Sequence, residues 1–127
     1  MTDLNHILYV DDEPDMRMLA QVALESLAGW RVTLCETGAG AADAARAAKP
    51  QLILLDVMMP GMDGPSTLKA LKNDPELGAI PIAFMTAKAS PEDVREYRRM
   101  GAIGVVRKPF DPASLHEQIR ELWEYCQ

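Results

Sequence analysis

Cysteine is scarce in this sequence, and the two that occur, Cys35 and Cys126, stand far apart. A small domain held together by disulfides needs more cysteines at closer spacing. We therefore expect two free thiols in a reducing compartment. The two histidines, His6 and His116, do not cluster with a cysteine or with each other, so the sequence indicates no zinc site.

Long apolar runs and an excess of basic residues are also missing. No run approaches the ~20 apolar residues of a transmembrane helix, and the start, MTDLNHIL, has no feature of a signal peptide. Lys and Arg number 13 against 19 Asp and Glu, a net charge of −6. This charge disfavours direct binding to nucleic acid or to a membrane surface. We expect a cytoplasmic protein that meets cations or basic partners.

Short apolar runs alternate with helical patterns along the 127 residues, a length suited to one domain. Strands are predicted over 6–10, 31–35, 51–55, 80–85 and 104–107. Helices are predicted over 14–28, 39–48, 65–73, 91–100 and 112–125, with Ser90 and Asp111 as caps of the last two. Nearly continuous apolar strands that alternate with helices indicate a parallel sheet covered on both faces.

Polar side chains stand where the predicted strands end. Such positions matter because ligands of parallel sheets bind outside the carboxyl ends of the strands. The residues there are Asp11, Asp12 and Glu13 after the first strand, Asp56 after the third, Thr86 after the fourth and Lys108 after the fifth. Carboxylates, a hydroxyl and an ammonium are therefore predicted to converge at one edge of the sheet.

This set of groups suits phosphoryl chemistry. Clustered aspartates repel one another, and Mg²⁺ with oxygen ligands relieves the repulsion. Asp56 is placed to act as a nucleophile, with Lys108 and Thr86 supplying positive charge and a hydroxyl to phosphoryl oxygens. Each residue also has an ordinary explanation alone, such as complementing a helix N-terminus or capping a helix. All of them together at one sheet edge favour the phosphoryl site.

Four segments of the sequence resemble those of a known family. The sequence resembles the response-regulator receiver domain of two-component signalling in ILYVDDEPDMR (7–17), LILLDVMMPGMDG (52–64), PIAFMTA (81–87) and GAIGVVRKPF (101–110). The resemblance implies a flavodoxin-like three-layer sandwich, with a five-stranded parallel sheet of order 2-1-3-4-5 and five helices. It also implies that residues 1–127 form a single receiver domain, with no output domain in this chain.

The resemblance assigns roles at the acidic end of the site. Asp56 corresponds to the phosphoacceptor. Asp12 corresponds to a direct Mg²⁺ ligand, and Asp11 contributes through water. Asp56 and the backbone carbonyl of Met58 complete the implied protein ligands.

Two further positions correspond to groups that contact the phosphoryl group. Thr86 is implied to bond a phosphoryl oxygen. Lys108 is implied to pair with the phosphoryl group or, before phosphorylation, with Asp56. The family pattern also predicts a cis peptide bond between Lys108 and Pro109.

The function implied is that of a signalling phosphoprotein in a phosphorelay, most simply a single-domain response regulator. It would take a phosphoryl group from a sensor histidine kinase or a histidine phosphotransfer protein and change its binding to a downstream protein. It would not be an enzyme with a separate substrate, although it would promote its own phosphorylation and autodephosphorylation. No contact with nucleic acid or membrane is expected.

The sequence departs from the family at the fifth strand. Many receivers carry Tyr or Phe three residues before the lysine, and that aromatic turns inward as the threonine moves. Here the residue is Val105, which is small and stiff at χ1. Signal transmission through this strand is therefore in question. Met58 and Lys88 occupy the positions thought to tune phosphate lifetime.

Three other functions compete with this interpretation. A dinucleotide-binding loop is suggested by TGAGAAD (37–43), but Asp43 stands where Gly or Ala is needed. A phosphohydrolase with an aspartyl nucleophile would have an acid at Met58. A binding-only pseudo-receiver would not need the intact acidic set and lysine.

The fourth predicted helix carries Arg95, Arg98 and Arg99 together with Tyr97. This face is either a partner surface or a solvated helix face balanced by neighbouring acids, and the second explanation is favoured.

Overall fold

The computed structural model describes residues 3–127. Its strands are β1 (His6–Val10), β2 (Arg31–Cys35), β3 (Leu52–Asp56), β4 (Ile82–Thr86) and β5 (Gly104–Arg107). Its helices are α1 (Pro14–Ala28), α2 (Ala41–Ala48), α3 (Gly64–Asn73), α4 (Pro91–Met100) and α5 (Leu115–Tyr125). Strands and helices alternate strictly, as the sequence pattern predicts.

All neighbouring strands pair in parallel, in the order β2-β1-β3-β4-β5. The predicted flavodoxin-like sheet is therefore confirmed. β1, β3 and β4 are buried along their whole length, which explains their continuous apolar sequences.

The sheet separates two apolar clusters. The first, which we call the α1/α5 core, includes Leu24 of α1 and Ile119 and Trp123 of α5. The second, the α2–α4 core, includes Ala45 of α2 and Leu71 of α3, with Tyr97 of α4 packed against it. These clusters form the interfaces of the predicted three layers.

Several predicted boundaries differ from the observed ones. Asp56 and Thr86 are the last residues of β3 and β4 instead of the first residues beyond them. β4 begins at Ile82, because residues up to Ile80 form a turn in which the Ile80 N–H donates to the Leu77 carbonyl. Asp111 caps a turn through the Ala113 N–H, and α5 begins only at Leu115.

The predicted start of α4 is confirmed. Ser90 accepts a hydrogen bond from the Asp93 N–H, and the Asp93 carboxylate accepts one from the Ser90 N–H, which forms a capping box. The helix ends at Met100 and is capped by Gly101, whose φ of 118° favours glycine. Within residues 3–127, each helix is too short or too polar to cross a bilayer.

Candidate functional site

Asp56 lies at the carboxyl end of the buried strand β3, with 3% of the residue exposed. Its neighbour Val57 donates to the carbonyl of Met85 over 3.1 Å, which extends the pairing with β4 past the nucleophile position. The chain then returns so closely that a Cβ on Gly64 would lie 2.6 Å from the Asp56 carbonyl oxygen. The backbone around Asp56 is therefore fixed on both sides.

Asp11 is fully buried beside the end of β1. Its carboxylate accepts hydrogen bonds from the Tyr9 hydroxyl at 3.1 Å and from the Glu13 N–H at 3.0 Å. The guanidinium of Arg17 donates to the Asp11 carbonyl at 2.8 Å. The two hydrogen bonds to the carboxylate fix its orientation, and one of them comes from Glu13, the N-cap residue of α1.

Lys108 joins the two buried carboxylates. Its Nζ lies 3.0 Å from Oδ2 of Asp11, 3.3 Å from Oδ2 of Asp56 and 3.8 Å from Oε1 of Glu13. The Lys108 N–H donates to the carbonyl of Thr86 over 2.9 Å. The peptide bond to Pro109 is cis, as predicted.

The proton affinities follow from this arrangement. Burial and the nearby Asp11 charge raise the pKa of Asp56 to about 6, against the opposing effect of Lys108. Burial lowers the pKa of Lys108, but hydrogen bonds and attraction from Asp11 and Asp56 outweigh it and raise that pKa overall. Burial and the adjacent Asp11 also raise the pKa of Tyr9, so its hydroxyl stays a donor.

Four acidic residues form a cluster at the site: Asp11, Asp12, Glu13 and Asp56. One carboxylate oxygen of each lies within 4.8 Å of those of the other three. Asp12 is half-buried, and Glu13 is exposed. Hard oxygen donors at this spacing are the ligands that Mg²⁺ prefers. The chemistry of the donor set therefore fits the implied cation, and Glu13 joins the three acids predicted from sequence.

A cleft of about 350 Å³ opens over Asp56. Thr86 and Lys108 line it, and the Thr86 oxygen accepts a hydrogen bond from the Lys88 N–H at 3.1 Å. Met58 also lines the cleft, with 78% of the residue exposed. The cleft places every predicted phosphoryl-contacting group beside the candidate nucleophile.

Two tyrosines at the site were not predicted from sequence. Tyr9 lies two residues before Asp11, so strand alternation could have placed both on one face. Tyr97 was assigned to a solvated helix face, and this is wrong, because it lines the cleft and packs on the α2–α4 core. Its spacing of three from the half-buried Val94 is the signal that could have found it.

The arginines of α4 remain exposed, as the favoured interpretation predicts. Arg99 pairs with Glu96 at 3.0 Å, and Arg98 lies 4.9 Å from the ring centroid of Tyr125 on α5. They take no part in the cleft.

The glycine-rich loop at 37–43 has a packing role. A Cβ on Gly38 would overlap the Thr67 hydroxyl and the Met62 carbonyl, so this glycine permits close approach to α3. Asp43 pairs with Arg46 at 3.0 Å. Both features favour structural packing over pyrophosphate binding.

Comparison with known proteins agrees with this geometry. Residues 7–120 match the family model of the response regulator receiver domain. The transcriptional regulatory protein CseB of Streptomyces coelicolor is 37% identical over 120 residues, which are 94% of this chain and 50% of that protein. Response regulator Rre1 of Synechocystis is 34% identical over 116 residues, 91% of this chain and 50% of Rre1. The chain thus spans about half the length of these relatives.

Solved structures show the same fold. The chemotaxis response regulator CheY4 of Vibrio cholerae superposes with a TM-score of 0.85 at 31% identity, covering 94% of this chain and 99% of that one. The N-terminal domain of a response regulator receiver protein from Methanoculleus marisnigri gives a TM-score of 0.72 at 35% identity, with coverage of 97% and 96%.

Proposed function

Because the chain belongs to the response regulator receiver family, we propose that it accepts a phosphoryl group on Asp56 from a phosphohistidine. The observation that carries this proposal is the buried Asp56 carboxylate in an open cleft, 3.3 Å from the ammonium of Lys108. A buried carboxylate with a single cationic neighbour and access to solvent is suited to attack phosphorus.

The step is an in-line transfer. An Asp56 carboxylate oxygen forms a bond to phosphorus while the phosphorus–nitrogen bond of the donor breaks and its electron pair returns to the imidazole nitrogen. Lys108 stays close to the oxygens on which negative charge develops. Thr86, whose oxygen already accepts from the Lys88 N–H, keeps its own proton free to donate to a phosphoryl oxygen.

Asp11, Asp12 and Asp56 would hold Mg²⁺, together with the Met58 backbone carbonyl. When bound, the cation supplies positive charge that offsets the carboxylates and the transferring phosphoryl oxygens. The chain contributes the orientation of Asp11, which Tyr9 and the Glu13 N–H fix.

The same cleft supports the loss of the phosphoryl group. Water attacks phosphorus, the bond to the Asp56 oxygen breaks, and the carboxylate and inorganic phosphate are released. The protein therefore promotes its own phosphorylation and autodephosphorylation and is not an enzyme acting on a separate substrate. Met58 and Lys88 line the cleft and stand near the path of this water.

The phosphoryl group changes the surface that partners meet. It adds roughly −1.5 to −2 charges beside Asp56, which biases the protein toward another binding state. The phosphoryl donor is a sensor histidine kinase or a histidine phosphotransfer protein. The phosphorylated chain then binds a downstream protein in the cytoplasm. The net charge of −6 supports the absence of direct nucleic-acid contact.

We further propose that residues 1–127 act as a single-domain response regulator. The near-complete coverage of CheY4 supports this, although CseB, named a transcriptional regulatory protein, is about twice as long. The size of the native protein on an immunoblot of its source cells separates the two cases. A band well above 14.0 kDa would contradict single-domain status.

Intact mass after incubation with acetyl phosphate tests the phosphoacceptor. We expect wild type to gain one phosphoryl group only with Mg²⁺, and Asp56→Asn to gain none. The matched control is Asp3→Asn, which alters an exposed aspartate before β1, at the opposite end of that strand from the cleft. A folded wild-type protein that gains nothing with Mg²⁺ would contradict the proposal and favour a binding-only pseudo-receiver.

A further inference from the structure

The ring of Tyr97 forms part of the wall of the cleft over Asp56, although the residue belongs to α4. The ring packs edge-on against Phe84 of β4, with centroids 5.0 Å apart and an angle of 63° between the planes. Edge-to-face contacts of this kind have a defined geometry, so the ring has a specific position in the cleft. Tyr97 therefore links α4, to which it belongs, directly to the cleft.

Strand geometry places Tyr97 over the same face as the Thr86 hydroxyl. Phe84 and Thr86 are two residues apart in β4, so their side chains point to one face of the sheet. Val105 is the register partner of Phe84 on β5 and is partly buried in the same α2–α4 core. The aromatic group beside the cleft thus comes from the helix, and β5 contributes only a small side chain there.

The attachment of α4 to the rest of the protein is weak. Among residues 3–127, α4 is the helix without a fully buried side chain, whereas the other four each bury at least two. Few buried contacts mean a low free energy of local rearrangement. Tyr97 is one of the half-buried side chains that hold this helix against the sheet.

We infer that Tyr97 couples the state of the cleft to the position of α4, so that the aromatic relay of this protein is on the helix and not on β5. The inference rests on the proposed phosphorylation of Asp56. A phosphoryl group fills part of the cleft that Tyr97 lines and draws the Thr86 hydroxyl toward it. Both changes alter the space beside the ring, the ring moves, and the loosely attached α4 moves with it.

Hydrogen–deuterium exchange across α4 tests the inference. The protein is compared with Mg²⁺ alone and with Mg²⁺ plus beryllofluoride, a stable stand-in for the phosphoryl group. We expect beryllofluoride to change exchange in peptides covering 91–100 roughly twofold or more in wild type. In Tyr97→Leu, which keeps apolar volume and helix propensity, this difference should disappear.

The matched control is Tyr125→Leu. It removes the other aromatic contact of α4, the Tyr125 ring beneath Arg98, and leaves the cleft intact. We expect it to retain the full beryllofluoride response. Tyr97→Phe keeps the ring without the hydroxyl and should also respond, since the relay depends on the ring.

Intact mass with acetyl phosphate, measured on the same variants, separates the possible failures. Because Tyr97 lines the cleft, Tyr97→Leu is compared at full loading and not by its rate of gain, and it should still gain one phosphoryl group. If it gains the group and its α4 also responds like wild type, the relay is overturned while the phosphoacceptor stands. An equal loss of response in Tyr125→Leu, or a phosphorylated wild type whose α4 does not change, also overturns the relay. A Tyr97→Leu protein that takes up no phosphoryl group overturns it too, because the ring then acts within the site itself. If wild type gains no phosphoryl group, the proposed function and the relay both fail.

Discussion

The ammonium of Lys108 lies 3.3 Å from Oδ2 of Asp56. The same ammonium lies 3.0 Å from Asp11, so one cation balances two buried carboxylates. Any change at one of the three residues therefore alters the electrostatic free energy of the other two. A phosphoryl group or a metal ion enters a site that is already short of positive charge.

Replacing Lys108 with Ala should destabilise the protein, because two buried carboxylates lose their common cation. Loss of one partner from a buried ion pair costs about 3 kcal/mol. We expect a decrease of that order in the free energy of unfolding, measured by urea denaturation without Mg²⁺. Millimolar Mg²⁺ should restore part of it if the cation occupies the proposed site, because a ligand that binds only the folded state stabilises it. Lys69→Ala, an exposed lysine of α3, is the control and should change little.

Replacing Asp56 with Asn should stabilise the metal-free protein at pH 7. The pKa of about 6 in the folded protein is above the ordinary 3.8, so between these values the folded state holds a proton that the unfolded state has lost. Wild-type stability should therefore fall as pH rises from about 4 to about 6, by about 3 kcal/mol. Asp56→Asn should lack this slope in urea denaturation at several pH values. Equal slopes in the two proteins would contradict the assignment.

Affinity for Mg²⁺ should fall as the pH drops through about 6, because a proton on Asp56 competes with the cation. Calorimetric titration at pH 5 and pH 7.5 measures the difference, and we expect at least tenfold weaker binding at the lower pH. Asp12→Ala should weaken binding at both pH values, since it removes a half-buried carboxylate of the proposed Mg²⁺ site. Asp15→Asn, which alters the exposed second residue of α1, should bind like wild type.

Replacing Gly64 with Ala should destabilise the protein and slow phosphorylation. The added Cβ would lie 2.6 Å from the Asp56 carbonyl oxygen and 2.7 Å from Cα of Val57, and backbone atoms cannot easily move away. Overpacking of this kind costs about 1–3 kcal/mol. Thermal denaturation and the rate of mass gain with acetyl phosphate check both effects. Gly61→Asn is the matched control, because nothing lies within 4 Å of a Cβ there and Asn tolerates its positive φ.

The strands could be predicted from sequence because they depend on strong, local signals, whereas the order of the strands in the sheet followed only from the family resemblance. β3 is apolar from Leu52 to Leu55, and only burial on both faces explains such a run. The start of α4 followed from Ser90, Pro91 and Asp93, whose side chains and ring act within one turn. The start of α5 could not be predicted, since Asp111 caps a turn equally well.

The sequence predicted which residues lie together in the acidic site. Parallel strands bring their carboxyl ends to one edge, so Asp11, Asp56 and Lys108 had to be neighbours once the fold was known. Their pairing geometry was not predictable, because it depends on side-chain rotamers. Tyr97 was missed for another reason. Surrounding arginines made the helix face look solvated and outweighed the spacing of three from Val94, and the packing against Phe84 shows that the ring turns inward.

The sheet divides the apolar interior of residues 3–127 into two cores, and only one of them contacts the cleft over Asp56. The α1/α5 core contains Leu24, Ile119 and Trp123, and none of these touches the cleft. The α2–α4 core contains Phe84 and contacts Tyr97 at the cleft wall. The proposed rearrangement of α4 would change packing in the α2–α4 core, whereas the buried side chains of the α1/α5 core lie across the sheet from it. The outer surfaces of α1 and α4 therefore belong to different packed layers, so a change in one layer does not require repacking of the other.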